Sequence, residues 1–209
     1  MTGYNALREN AAWLNLSGRG KLRAVGEDRA RLLHAMSTFD IQSLSPGSGC
    51  YSFFLSAQGR ILADANLYNL GDSFFLDTEP ETGEKLWQHL DKFIIADDVT
   101  LTDETADWLA IGIEGPASAA VVKSIGAPLP EQAFAIEPWQ DGFIAQASVT
   151  GATGYRLFQP IARQAEFAAA LANLGIPEAD AEAAKVVRLE NGKPRYGEDI
   201  SERYLVQET

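Results

Sequence analysis

Cysteine is nearly absent from this 209-residue chain, Cys50 being the only one. That excludes an internal disulfide framework and any cysteine-cluster metal site. Histidine is as scarce, with His34 and His89 alone, which leaves little for a zinc or iron centre. Positive charge is short too: 17 lysines and arginines face 29 aspartates and glutamates, a formal charge of −12. A surface so acidic excludes direct, tight nucleic-acid binding, because phosphate recognition needs a basic face. No apolar run approaches the ~20 residues that span a bilayer, so no membrane partner is expected. Residues 1–13, MTGYNALRENAAW, carry charge where a signal peptide would be apolar, and a cytoplasmic location is expected. The familiar catalytic motifs fail as well. Gly18-Arg19-Gly20 lacks the third glycine of a dinucleotide loop, and no Gly-Lys-Ser or Gly-Lys-Thr is present. No serine sits in a G-x-S-x-G elbow. Cys50 has no neighbouring base and reads as an inert thiol, while His34, beside Leu33, reads as a packing residue.

What remains is a chain with 46% hydrophobic residues, suited to one compact domain or to two small ones sharing a core. Charge is spread unevenly: residues 1–31 net +3, whereas residues 72–114 net −10. Apolar spacing predicts a helix over 4–14 with Leu7, Ala11 and Leu14 on one stripe, a short strand around Leu22–Ala24, and a helix from Glu27-Asp28 to Thr38. Ser45-Pro46-Gly47-Ser48-Gly49 is a loop and a candidate domain boundary. Cys50–Ser56 and Arg60–Leu70 flank a turn at Gln58-Gly59, and Ser73–Thr78 follows as a third strand. A helix opened by Pro80 carries Leu86, Trp87, Leu90, Phe93 and Ile94 on one face. Val99–Thr102, Trp108–Glu114, Phe134–Pro138, Gly142–Val149 and Tyr155–Gln159 read as strands. Helices are expected after Gly115-Pro116, at about 161–174 and at about 178–190. The sum is an α+β fold of antiparallel sheets with flanking helices.

Two places break a local rule. On the strand 61–68, alternation puts Ile61, Ala63, Ala65 and Leu67 on one face and Leu62, Asp64, Asn66 and Tyr68 on the other. Aspartate is depleted in strand interiors. The carboxylate, amide and phenol therefore read either as the lining of a cleft or as the wet side of a one-sided sheet. In Arg188-Leu189-Glu190-Asn191-Gly192-Lys193-Pro194, Gly192 ends a helix. Glu190 then occupies the last turn, where the helix dipole disfavours a negative charge. It is either neutralised by Arg188 or Lys193, or placed there for function.

These segments carry a resemblance. Gly49-Cys50-Tyr51-Ser52-Phe53-Phe54-Leu55-Ser56-Ala57-Gln58-Gly59-Arg60-Ile61-Leu62-Ala63-Asp64 resembles the first signature of the YgfZ-type folate-binding proteins. Arg188-Leu189-Glu190-Asn191-Gly192-Lys193-Pro194-Arg195-Tyr196-Gly197-Glu198-Asp199-Ile200 resembles the second. Ile113-Glu114-Gly115-Pro116 resembles the turn between them. That family is related to the glycine-cleavage T-protein, an aminomethyltransferase. The resemblance implies a discontinuous folate-binding α+β domain from residues 1–45 and 106–209, an inserted ferredoxin-like subdomain from 46–105, and a C-terminal barrel that would follow. The family's Lys-Gly-Cys-Tyr-x-Gly-Gln-Glu hallmark does not occur in these 209 residues.

The resemblance further implies tetrahydrofolate, or a derivative of it, as cofactor. Tyr51, Asp64, Asn66, Thr78, Glu190 and Tyr196 match its binding residues. Asp64 is also the acid/base candidate if the chain is a transferase. A carboxylate suits a pterin edge, whose adjacent N–H groups it can accept. Arg188, Lys193, Arg195 and the basic stretch 19–31 are the cations available to the folate's anionic tail. Three functions follow. The first is a folate-binding accessory protein for iron–sulfur cluster assembly or repair, with iron–sulfur proteins or assembly factors as partners and an indirect effect on tRNA modification. The second is a folate-dependent aminomethyltransferase. The third is a non-catalytic scaffold that has lost folate.

Overall fold

A computed structural model describes residues 1–209. In chain order its elements are α1 (Tyr4–Glu9), β1 (Ala12–Asn15), β2 (Gly20–Val25), α2 (Arg29–Met36), β3 (Gly49–Leu55), β4 (Ile61–Asn69), β5 (Ser73–Thr78), α3 (Gly83–Asp91), β6 (Thr100–Asp103), β7 (Trp108–Glu114), α4 (Ser118–Ser124), β8 (Ile136–Trp139), β9 (Gly142–Ala145), β10 (Gly154–Pro160), α5 (Gln164–Asn173) and α6 (Ala181–Glu190). The fold is α+β, with two antiparallel sheets and flanking helices. No helix is long and apolar enough to cross a membrane.

The chain divides into two units. The first comprises Met1–Gly18 and Ala106–Lys193. Its sheet runs β1-β7-β10-β9-β8, and Ile111, Ile113 and Leu157 pack beneath Val121, Val122, Phe167 and Leu171 of α4 and α5. A smaller cluster of Leu7, Leu14, Ala183 and Val187 joins α1 to α6. The helix expected over 4–14 is shorter. Only Tyr4–Glu9 is helical, and Ala12–Asn15 form an edge strand in register with Glu114–Ile111. Leu7, Ala11 and Leu14 are all buried. Burial alone does not choose the period, and β7 supplies the backbone partners that a third helical turn would have supplied internally.

The second unit comprises Arg19–Thr105 and Pro194–Thr209. Its sheet runs β3-β4-β5-β2-β6. Leu22, Ala24, Phe54, Ala63, Ala65, Leu67, Phe74 and Leu76 cover one face of it, under Leu33 of α2 and Leu86 and Leu90 of α3. The boundary expected at 45/46 is not where the units part. β2 lies between β5 and β6, bonded to both, so residues 19–45 belong with this sheet. The expected assignment of the whole stretch 106–209 to one domain fails as well. Tyr196 and Ile200 pack on Ile61, and Arg60 bridges to Leu205, which ties the tail to the second unit. Those pairings join residues more than a hundred positions apart, beyond any local pattern.

Cys50, on β3, is 2% exposed, and burial pushes its thiol up to about 12. A thiolate is the reactive form. Native protein should therefore resist a thiol reagent at neutral pH and react in full once unfolded in urea. Rapid labelling of the native protein would contradict this packing.

Candidate functional site

The polar stripe of β4 does not face solvent. Asp64 is 6% exposed and Tyr68 is fully buried. Strand register builds the surroundings. Tyr51, Asn66, Asp77 and Lys21 stand in one row across β3, β4, β5 and β2. One step along, Phe53 is opposite Asp64. Continuing the same registers by one residue sets Glu79 across from both Asp64 and Arg19. One face of this sheet thus gathers three acids and two cations, all largely buried.

Their bonding is unequal. The Arg19 Nε donates to Asp77 Oδ1 at 2.7 Å, and its Nη1 donates to Glu79 Oε1 at 2.5 Å. Arg195 reaches Glu79 Oε2 at 3.0 Å. The Asn66 amide donates to Asp77 Oδ2 at 3.1 Å. Asp64 receives far less. The Tyr51 hydroxyl donates to its Oδ2 at 2.8 Å, while Oδ1 is buried without a partner. Burial first, and the negative charge of Glu79 second, raise the Asp64 carboxyl above its ordinary value, against the opposing pull of the Tyr51 hydroxyl and Arg19. Burial and the Asp64 charge likewise raise the Tyr51 phenol, so this hydroxyl stays a donor. An orphaned buried oxygen is costly, and here it is held in place by an aromatic residue that is itself 36% exposed.

The other expected residues fall differently. Asn66 contributes through Asp77. Thr78 is a correction: its hydroxyl donates to the Asp64 backbone carbonyl at 2.6 Å and bonds Thr82. Alternation also turns it to the face opposite the Asp64 side chain, so it supports the strand instead of lining the site. Tyr196 is 7% exposed, packed on Ile61, with its hydroxyl donating to the Ile61 carbonyl at 3.3 Å. Glu190 lies in the first unit. Tyr4 donates to its Oε1 at 2.7 Å and Arg8 to its Oε2. These two bonds hold the carboxyl below the usual glutamate range. Its neutralising partner is therefore Arg8, from α1, and not Arg188 or Lys193. Arg188 donates to the Lys193 carbonyl, and Lys193 donates to the Ser148 carbonyl. Arg195 pairs with Glu79 and Glu81, Arg23 with Glu104 and Arg31 with Asp97. The cations expected to grip an anionic tail are thus already bonded within the chain.

Sequence reasoning missed two features. Glu79 enters only through strand register, which no local spacing reports, and the same register sets Arg19, expected only as one cation of the stretch 19–31, across from it. Glu114, at the end of β7, is completely buried and gathers the segment 148–150. It accepts from Ser148 Oγ at 2.6 Å, Val149 N at 2.7 Å, Thr150 N at 2.9 Å and the Thr150 hydroxyl. An acid closing an apolar strand just before Gly115-Pro116 was the available signal.

The family model for the GCVT N-terminal domain matches residues 2–209. The chain belongs to that family. As a GCVT N-terminal domain it is 26% identical over 210 residues to an aminomethyltransferase of Deinococcus deserti, a match over 95% of this chain and 58% of that protein. It is 27% identical over 208 residues to the aminomethyltransferase of Herpetosiphon aurantiacus, over 94% and 56%. The glycine cleavage system aminomethyltransferase T of Bartonella henselae superposes with a TM-score of 0.89 at 24% identity, covering 97% of this chain and 56% of that one, which establishes the shared fold. The chain spans a little over half the length of the curated relatives it matches. Kinship with the T-proteins, the broader half of the expected resemblance, is therefore established.

Proposed function

We propose that this chain is the tetrahydrofolate-binding portion of a one-carbon transferase of the aminomethyltransferase kind. One observation carries the reading: Asp64 is a buried carboxyl with one oxygen fixed by Tyr51 and the other open. Such an oxygen needs a polar ligand edge, and the nitrogen-rich edge of a reduced folate supplies one. When bound, tetrahydrofolate provides the nitrogens that accept a one-carbon unit. Tyr51 orients the Asp64 carboxyl by its hydroxyl, and its partly exposed ring offers a flat surface beside it. Asp64, with its proton affinity raised by burial and by the charge of Glu79, holds a proton at Oδ1 to a higher pH than an ordinary carboxylate does.

The names of the relatives favour aminomethyl transfer over the iron–sulfur accessory role. That role rests on the two YgfZ-like signatures alone, and a scaffold without folate would leave the open Asp64 oxygen without a use. The test is carbon-13 NMR of protein labelled at the aspartate carboxyls, titrated with tetrahydrofolate. The Asp64 resonance, assigned by its loss in Asp64→Asn, should move on binding. A spectrum indifferent to tetrahydrofolate would overturn the reading.

A further inference from the structure

Ala65 pairs with Thr78, so the register carried one residue past β5 sets Glu79 across from Asp64, and both side chains are largely buried. Two such groups cannot both be charged cheaply, so protons leave the pair one at a time. Their surroundings decide which keeps its proton. Glu79 has a guanidinium on each oxygen: Arg19 on Oε1 at 2.5 Å and Arg195 on Oε2 at 3.0 Å. Asp64 has no cation bonded to it, only the neutral Tyr51 hydroxyl on Oδ2. A charge-assisted pair favours the ionised acid strongly, whereas a single phenol does so weakly.

We propose that Glu79, clamped between Arg19 and Arg195, is a positioning residue that keeps the proton on Asp64, so that Oδ1 meets its ligand as a hydrogen-bond donor. With Oδ2 taken by the Tyr51 hydroxyl, the proton belongs on Oδ1, the oxygen without a partner. The ligand atom recognised there is then an acceptor, either a ring nitrogen lone pair or a carbonyl oxygen. Titratable and charged groups face Asp64 from several elements, with Arg195 behind Glu79. Tyr51 faces it from β3, Glu79 from the end of β5 and Arg19 from the start of β2. Asp77 and Lys21 stand in the next row, and Tyr196 comes from the C-terminal segment. The ligand identity rests on the folate reading above, but the proton placement does not.

The experiment is accordingly run without ligand, so that its failure is distinct from failure to bind tetrahydrofolate. The pH midpoint of the Asp64 carboxyl is read by carbon-13 NMR in the wild-type chain and three variants. Glu79→Gln removes the neighbouring charge and should lower the midpoint. Tyr51→Phe removes the bond that favours the ionised form and should raise it. Glu79→Asp should return it toward the wild-type value. A merely structural role for Glu79 would not give opposite signs in the first two. An unmoved midpoint in Glu79→Gln, or a shift in the same direction as in Tyr51→Phe, would overturn the proposal. Should Glu79→Gln fail to fold, Arg195→Gln decides. With one guanidinium gone from Glu79 Oε2, the Glu79 charge should press harder on Asp64 and raise its midpoint, and an unmoved or lowered midpoint would overturn the proposal.

Discussion

Glu114→Ala is expected to be the most damaging single substitution for the stability of the first unit. The side chain is fully buried and accepts four hydrogen bonds from the segment 148–150, two of them from backbone N–H groups. Removing the acceptor strands the Val149 amide, at about 1–3 kcal/mol for a buried donor left unmet, and leaves Thr150 N with the Ser148 hydroxyl alone while the Ser148 and Thr150 hydroxyls lose their carboxylate partner. The total should reach about 3 kcal/mol or more, which lowers a urea midpoint by at least ~1 M at ordinary slopes. The effect should spread to the end of α6, because the Thr150 carbonyl accepts from Asn191 and the Ser148 carbonyl accepts from Lys193. Space for the carboxylate is set by Gly154, its cross-strand partner, where an added Cβ would lie 2.8 Å from Glu114 Cγ. Gly154→Ala should therefore destabilise the same unit. An unchanged urea midpoint in Glu114→Ala would show that this acid does not hold the segment.

Substitution at Asp64 should separate binding from stability. Asp64→Ala removes the open oxygen and leaves the Tyr51 hydroxyl without its acceptor. A hydrogen bond to a charged or strongly polar buried group is worth about 1.5–3 kcal/mol, so tetrahydrofolate affinity should fall about 10- to 150-fold. Asp64→Asn should act in the opposite sense on the fold. Because the folded-state value of Asp64 is raised, chiefly by burial, the folded state binds its proton more tightly than the unfolded chain does. Stability is then greatest below the ordinary carboxylate range and declines as pH rises toward the raised folded-state value. The neutral amide avoids that decline. Asp64→Asn should melt above the wild-type chain at neutral pH, with the gain vanishing near pH 3.8, the ordinary value for aspartate. Equal melting at both pH values would contradict the burial argument. A residue that costs stability where it stands is what a ligand-binding site demands.

The polar stripe of β4 was legible because a two-residue period in one strand says which side chains share a face. It could not say whether that face was wet. The answer lay in β5 and β2, whose Asp77 and Lys21, with Glu79 and Arg19 one residue beyond the strand ends, stand beside the stripe through pairings that the local pattern does not encode. For the same reason the break at 45/46 was misplaced: a proline- and glycine-rich loop marks a turn, but sheet partnership decides membership of a unit. Thr78 looked like a binding residue by alignment, yet the alternation already used for Asp64 puts it on the other face. Glu190 was singled out correctly as an acid in the wrong turn of a helix. Its partners Tyr4 and Arg8 lie more than 180 positions away, out of reach of any spacing rule. The helix over 4–14 failed at Ala12 because its apolar stripe was equally compatible with an edge strand.

Asp64 is the group proposed to read a reduced folate. Calorimetric titration of the wild-type chain and Asp64→Ala with tetrahydrofolate, side by side at neutral pH, tests this most directly. The wild-type chain should bind saturably, and the variant should lose at least about tenfold in affinity. Equal affinities, or no binding by the wild-type chain, would contradict it.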